Sequence, residues 1–248
     1  WQDGVFQVGK NKFSKCYRFT DINYAVASRA DKEAMFLEYS ELLNSFDTGA
    51  TTKITILNRR LNKVDFEKNI LLPLAEDNLD EYRKEYNKML LDKGTGANGI
   101  TQEKFLTISV NKKSVEEARN YFGRIGADLS AHFSQLGSKC IELDAVDRLR
   151  MFHDFYRAGE ENSFTFDFIQ NMRKGHSFKD FISPDTMEFE SDYFKMGNKY
   201  GRVIFLKEYA SYIKDNMVAE LTDLNRNMMM SIDVVPVPMD EAVREVEN

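Results

Sequence analysis

Bulky and polar residues alternate from the start of the chain. Val5-Phe6-Gln7-Val8 leads into the turn-forming Gly9-Lys10-Asn11-Lys12, and Phe13-Ser14-Lys15-Cys16-Tyr17-Arg18-Phe19 then alternates, which predicts a β-hairpin. The spacing next turns helical. Met35, Tyr39, Leu42, Leu43 and Phe46 share one face of a helix expected from about Asp31 to Phe46. Ser28 and Asp31 have capping-box spacing at its start, and Asp47-Thr48-Gly49 stops it. Thr52-Lys53-Ile54-Thr55-Ile56-Leu57 alternates again, as a half-buried strand does.

The middle of the chain reads as mainly helical. Leu79, Tyr82, Tyr86, Met89 and Leu90 form a stripe that ends in Gly94-Thr95-Gly96-Ala97-Asn98-Gly99, read as a loop. Phe105-Leu106-Thr107-Ile108-Ser109-Val110 predicts a strand. Ser114 and Glu117 make a second capping box, opening a helix through Val115, Ala118, Phe122, Ile125 and Leu129 that closes near Gly137. A further helix is expected from about Ala145 to Tyr156.

The last third resembles the first in its order of elements. Met187–Glu190 leads to Tyr193–Met196, Gly197-Asn198-Lys199 forms a turn, and Arg202-Val203-Ile204-Phe205-Leu206 reads as a strand. Met217, Leu221 and Leu224 mark a helix, and Met230–Val234 a closing strand. The fold class expected is therefore α+β: antiparallel sheets with packed helices, built as two strand-strand-helix-strand, ferredoxin-like-related units flanking a helical middle. Residues 1–58 with 183–248 would make one lobe and residues 59–182 another.

Composition supports a folded chain and narrows its partners. Of 248 residues, 42% are hydrophobic and 30% charged, which argues against disorder. The formal net charge of −6 opposes the basic field that nucleic-acid binding draws on. No apolar run approaches the about 18–20 residues that span a bilayer, and the N-terminus lacks the basic and apolar regions of a signal peptide. Cys16 and Cys140 sit in apolar-alternating segments and read as buried free thiols of a reducing cytoplasm. Residue 1 is not Met, and Asp240–Asn248 reads as a helix just begun. Both point to a longer parent.

Motifs that imitate a nucleotide site fail on physical grounds. Gly4-Val5-Phe6-Gln7-Val8-Gly9-Lys10-Asn11 nearly fits a phosphate loop, but Asn11 has no hydroxyl for magnesium, and the segment precedes a strand rather than a helix. Val234–Glu241 imitates the apolar strand plus acids that holds magnesium. Pro236 and Pro238 lack the N–H that a central strand needs, so they place it at a sheet edge or exit. His132, His153 and His176 have no metal-ligand spacing and read as packed or surface residues. The carboxylate pairs Asp144/Asp147 and Glu160/Glu161 fall near helix ends, where dipole complementarity or solvation accounts for them. Lys10/Lys12/Lys15, Arg59/Arg60, Lys112/Lys113 and Arg173/Lys174 are short basic clusters interrupted by acids, as on a solvated face. Met228-Met229-Met230 reads as strand filling more readily than as an adaptable binding surface. No catalytic, cofactor-binding or metal-binding residue is therefore assigned.

A family resemblance runs through Phe19–Tyr24, Gly49–Ile56, Glu117–Phe122, Arg148–Tyr156, Ser183-Pro184-Asp185 and Gly201–Tyr209, continuing to Pro236-Val237-Pro238. These stretches resemble the large motor ATPases of type IV secretion, of the CagE/TrbE/VirB kind, in the versions carried by conjugative transposons. The resemblance implies an N-terminal domain that docks on inner-membrane components, peripheral to the cytoplasmic face. It also implies a separate C-terminal RecA-like domain that binds ATP and magnesium, hexamerises and drives DNA or protein transfer. The matching positions belong to the N-terminal part, so no nucleotide-binding residue carries over. Expected partners are other type IV secretion subunits and sister protomers. The alternative is a stand-alone DNA-binding or DNA-processing accessory protein of a mobile element.

Overall fold

A computed structural model describes residues 1–60, 70–96, 100–175, 177–208, 216–238 and 241–244. Its centre is a six-stranded antiparallel sheet. The long strands β2 (Lys12–Phe19), β4 (Ile100–Asn111) and β3 (Ala50–Arg60) lie side by side, with β4 between the other two. The short strands β1 (Phe6–Gln7) and β5 (Cys140–Glu142) share the outer edge of β2, pairing with its first and last residues respectively. β9 (Met228–Val234) closes the far edge beside β3.

The helix α1 (Arg29–Asn44) links β2 to β3, and α3 (Val115–Gln135) links β4 to β5. The order β5-β2-β4-β3, traced by the path β2-α1-β3-β4-α3-β5, is the split β-α-β arrangement of the ferredoxin-like topology. The α+β class stands, with antiparallel sheets and packed helices. This unit draws β4 and α3 from the stretch between residues 59 and 182. β9, expected as the closing strand of the last third, extends this sheet, with Met229, Met230 and Ile232 in register with Leu57, Ile56 and Ile54 of β3.

Local chemistry explains the helix boundaries. Ser28 Oγ accepts from the Asp31 N–H at 3.2 Å and donates to the Asp31 carboxylate at 2.7 Å, so a cap forms as the spacing predicts. Ser114 Oγ accepts from the Glu117 N–H at 3.2 Å, while the Glu117 carboxylate accepts from the Lys113 N–H. α3 ends in a Schellman motif: Gly137 takes φ +76°, its N–H reaches Ser134 O, and the Ser138 N–H reaches Phe133 O at 2.8 Å. Between those ends Ala118, Tyr121, Phe122, Ile125, Leu129 and Phe133 recur every three or four residues and are buried. They close one face of the sheet with Phe13, Tyr17, Leu106, Ile108 and Val110 from the strands and Leu42 and Phe46 from the α1 side. Each fully buried Leu or Phe contributes about 1.5–3 kcal/mol.

The opposite face carries a smaller cluster, Cys16, Leu57, Phe105 and Leu143, with Met151, Phe155 and Met229 packed against it. Met151 and Phe155 come from α4 (Ala145–Tyr156), whose first turn is capped by the Asp144 carboxylate accepting from the Asp147 N–H at 2.8 Å. Asp144 and Glu160 thus act at helix ends, as read from the sequence. Glu160 accepts from Arg157 at 3.0 Å.

Beyond α4 the chain forms short elements. α5 (Phe168–Lys174) and α6 (Lys179–Ile182) precede a separate three-stranded sheet of β6 (Met187–Phe189), β7 (Phe194–Met196) and β8 (Lys199–Gly201). β8 ends at Gly201 opposite Phe194, where a side chain has no room: a Cβ would lie 2.3 Å from the Phe194 ring. Arg202–Leu206, expected as a strand, is not one: among the described residues no strand pairs with it, and Val203, Ile204 and Phe205 are exposed. α7 (Met217–Thr222) follows and leads into β9. Residues 241–244 are helical, in keeping with the helix expected there, while Asp240 and His176 lie outside the described residues.

Candidate functional site

The phosphate-loop imitation folds as the β1–β2 turn. Lys10 is exposed there and its carbonyl accepts from Gln7 Nε2 at 3.0 Å. Gly4, the first glycine of the motif, serves packing: it adopts φ +80°, and a Cβ on it would sit 2.1 Å from Leu143 O. Of the acidic-strand imitation, Val234 ends the antiparallel edge strand β9 and residues 235–238, with Pro236 and Pro238, leave the sheet; Met239 and Asp240 lie outside the described residues.

Charges gather instead beneath α4. Arg148 is buried, and its guanidinium donates to Gly4 O at 2.7 Å, Ser14 O at 2.9 Å and Ser14 Oγ at 3.1 Å. It also lies 3.9 Å from the centre of the Phe6 ring. These partners are neutral, and its Nε has no hydrogen-bond partner among the described residues. Burial pulls the guanidinium down to about 10, which leaves it protonated at neutral pH.

One turn along, His153 Nδ1 lies 3.2 Å from Asp154 Oδ1, and Arg59 Nη1 donates to Asp154 Oδ2 at 2.7 Å. Arg59 also donates to Glu103 Oε2 at 2.7 Å, and Arg18 reaches Glu103 Oε1 at 3.4 Å. Burial raises the Asp154 carboxyl above the ordinary carboxylate range, outweighing the opposite pull of His153 and Arg59. Ser163 Oγ stands 3.4 Å from His153 Nε2, so hydroxyl, imidazole and carboxylate follow one another as in a nucleophilic triad. The resemblance is superficial. Ser163 donates to its own Glu160 O at 2.7 Å, and the carboxylate is already matched by Arg59. The row ties α4 to β3 and β4.

Sequence reading missed Arg148 and Asp154 as buried charges. A signal exists: Arg148 shares the helical face of Ala145 and Leu149, so its head group has to enter the core. Of the residues in the basic clusters, Arg59, Lys15 and Lys112 are spent on the fold. Arg59 is committed to two carboxylates, Lys15 pairs with Glu142 under β2, and Lys112 sits over the Tyr121 ring at 4.9 Å. Arg173 and Lys174 stay exposed at the end of α5. Cys16 is buried and Cys140 half-buried, both as free thiols.

The most unusual surface is α2 (Asp80–Gly96), inserted between β3 and β4. The helix runs on through Gly96, where a loop was expected from Gly94 onward; residues 97–99 lie outside the described ones. Its polar residues staple it to its own leading turn. Arg83 pairs with Asp77 and Asp80, and Asn87 exchanges hydrogen bonds with Leu72 N–H and C=O at 2.8 Å each. A stripe of Leu79, just before the helix, and Tyr82, Tyr86 and Met89 on it faces solvent, with Tyr82 at 69% exposure. The spacing predicted the helix correctly but not that its apolar face would be open.

Among the described residues no group of His, Cys, Asp and Glu is arranged to hold a metal ion, and no helix is long and apolar enough to cross a membrane. Comparison of the chain with protein-family models and with curated proteins finds no match in either.

Proposed function

We propose that this chain is a docking and regulatory module of a conjugation-type secretion motor, making protein contacts at the cytoplasmic face of the inner membrane and leaving ATP hydrolysis to another domain. The family side of this reading rests on the sequence resemblance. The observation that carries the docking side is the stripe on α2. Four apolar side chains at helical spacing are held outward by a helix whose polar face is occupied with local ties. Exposed apolar faces of this kind mark interaction surfaces, and large aromatic side chains such as Tyr dominate contact energies. The exposed run Val203–Leu206 adds a second apolar surface on the other side of the chain's sequence.

The paired substitution Tyr82→Glu with Met89→Glu tests it. Both side chains are exposed, so the melting temperature should hold, while transfer by donor cells should fall sharply. Loss of one anchor of about 2 kcal/mol corresponds to roughly 30-fold in affinity. Undiminished transfer with the double variant would remove the α2 surface from the proposal. Titration of Mg-ATP into the purified chain should give no binding heat; micromolar affinity would overturn the division of labour.

A further inference from the structure

A cavity of about 330 Å3 lies over the sheet between α1, the C-terminal end of α3, and α7. Leu43 of α1, Phe133 of α3, Val218 of α7, Ile54 and Ile56 of β3 and Ile232 of β9 form its walls. Space lined this way stays dry, because a water inside finds too few polar partners, and it is filled favourably by apolar groups. Its volume falls at the low end of pockets that enclose small ligands.

The mouth is chemically different from the walls. Lys104 is the one cation among the described lining residues, and its Nζ lies 2.6 Å from Asp21 Oδ1. The two partners differ in burial: the Lys104 side chain is 18% exposed and that of Asp21 76%. The ammonium is thus fixed at the cavity, while the carboxylate that meets it reaches in from solvent. The Asp21 side of the pair is open to solvent, so a competing carboxylate can take its place on Lys104 while Asp21 returns to water. Beside it Ser138 Oγ donates to Thr20 O at 2.6 Å, which completes a short polar rim on an otherwise apolar space.

We infer that the cavity binds a medium-chain fatty acid, its alkyl chain between Ile54 and Val218 and its carboxylate on Lys104 in place of Asp21. The match is one of amphipathic pattern: a chain-sized apolar interior and a single cation at the opening. The inference is independent of the partner proposed for α2.

Calorimetric titration of the intact chain with decanoate, below its micelle concentration, tests it. Binding at one site is expected, with Kd on the order of 10–100 µM. Lys104→Gln should weaken decanoate about tenfold, as for a lost charge-assisted contact, and leave 1-decanol unchanged. Ile54→Phe, which fills the cavity, should abolish both. If near-ultraviolet circular dichroism shows that variant misfolded, Val218→Trp fills the space from the opposite wall and should do the same. Absence of binding to the parent chain, equal decanoate affinity in Lys104→Gln, or binding retained by a folded cavity-filling variant would each overturn the site. Occupation by a partner's side chain instead would appear as the first of these.

Discussion

The two faces of the central sheet are closed by different physics. Toward α1 and α3 the contacts are aromatic and aliphatic, spread over fifteen buried residues. Toward α4 the apolar cluster is small, and Arg148, His153 and Asp154 are buried beside it. Burial of apolar area is non-directional, so the first face tolerates local adjustment and even leaves room for a cavity. Buried polar groups allow no such latitude, since each must keep a partner of fixed geometry. The second face therefore specifies where α4 sits, and with it the segment beyond. Arg157, at the end of α4, donates to Ser183 O at 3.1 Å and pairs with Asp185.

The largest effect should come from the apolar face. Phe122 is buried at the centre of α3, and Phe122→Ala should cost about 3–5 kcal/mol, through lost transfer energy and the cavity left behind. Urea unfolding measures this directly; a loss below 1 kcal/mol would mean that α3 is not the main closure of the sheet.

A pH comparison sharpens the contrast. Asp154 has a raised carboxyl in the folded chain, so the native state holds its proton to higher pH than the unfolded chain does. The sign follows: its contribution is greatest below the ordinary carboxylate range and declines as pH rises through the raised value. Asp154→Asn should flatten that decline in urea-melting midpoints across mildly acidic pH, whereas Phe122→Ala should shift every midpoint without changing the slope. The reverse assignment of slopes would contradict the division between the faces.

The smallest effect concerns the thiols. Burial pushes Cys140 up to about 11, with Cys16 adding to the shift, and Cys16 is itself raised by burial. Thiolate is the reactive form, so iodoacetamide at pH 8 should label neither at an appreciable rate until the chain is unfolded. Rapid labelling of Cys140 in the native chain would show that β5 leaves the edge of β2.

Much of this architecture was legible in local pattern. The β1–β2 hairpin, the capped starts of α1 and α3, the close at Gly137 and the full extent of α4 follow from alternation, caps and a glycine. What pattern could not supply was partnership. Nothing in Met228–Val234 says that it pairs with β3 instead of a neighbour in sequence, because either edge would accept its apolar face. The same gap explains Arg202–Leu206, whose composition suits a strand but which has no described edge to join. It also explains α2, since helical spacing identifies a stripe without telling whether the cover is the chain itself. The candidate surface was thus visible as a helix and invisible as a surface. At Gly9 and Lys10, in contrast, the alternation on either side already pointed to a hairpin turn, and β1 and β2 flank one there.

Photo-crosslinking from α2 addresses docking most directly. With a benzophenone amino acid in place of Tyr82, cells expressing the protein should yield a defined crosslink to a partner protein, a secretion subunit on the proposed reading, and the same probe at exposed Lys113 should not. A probe at Tyr82 that captures nothing beyond what Lys113 captures would contradict the claim that this helix is the chain's docking face.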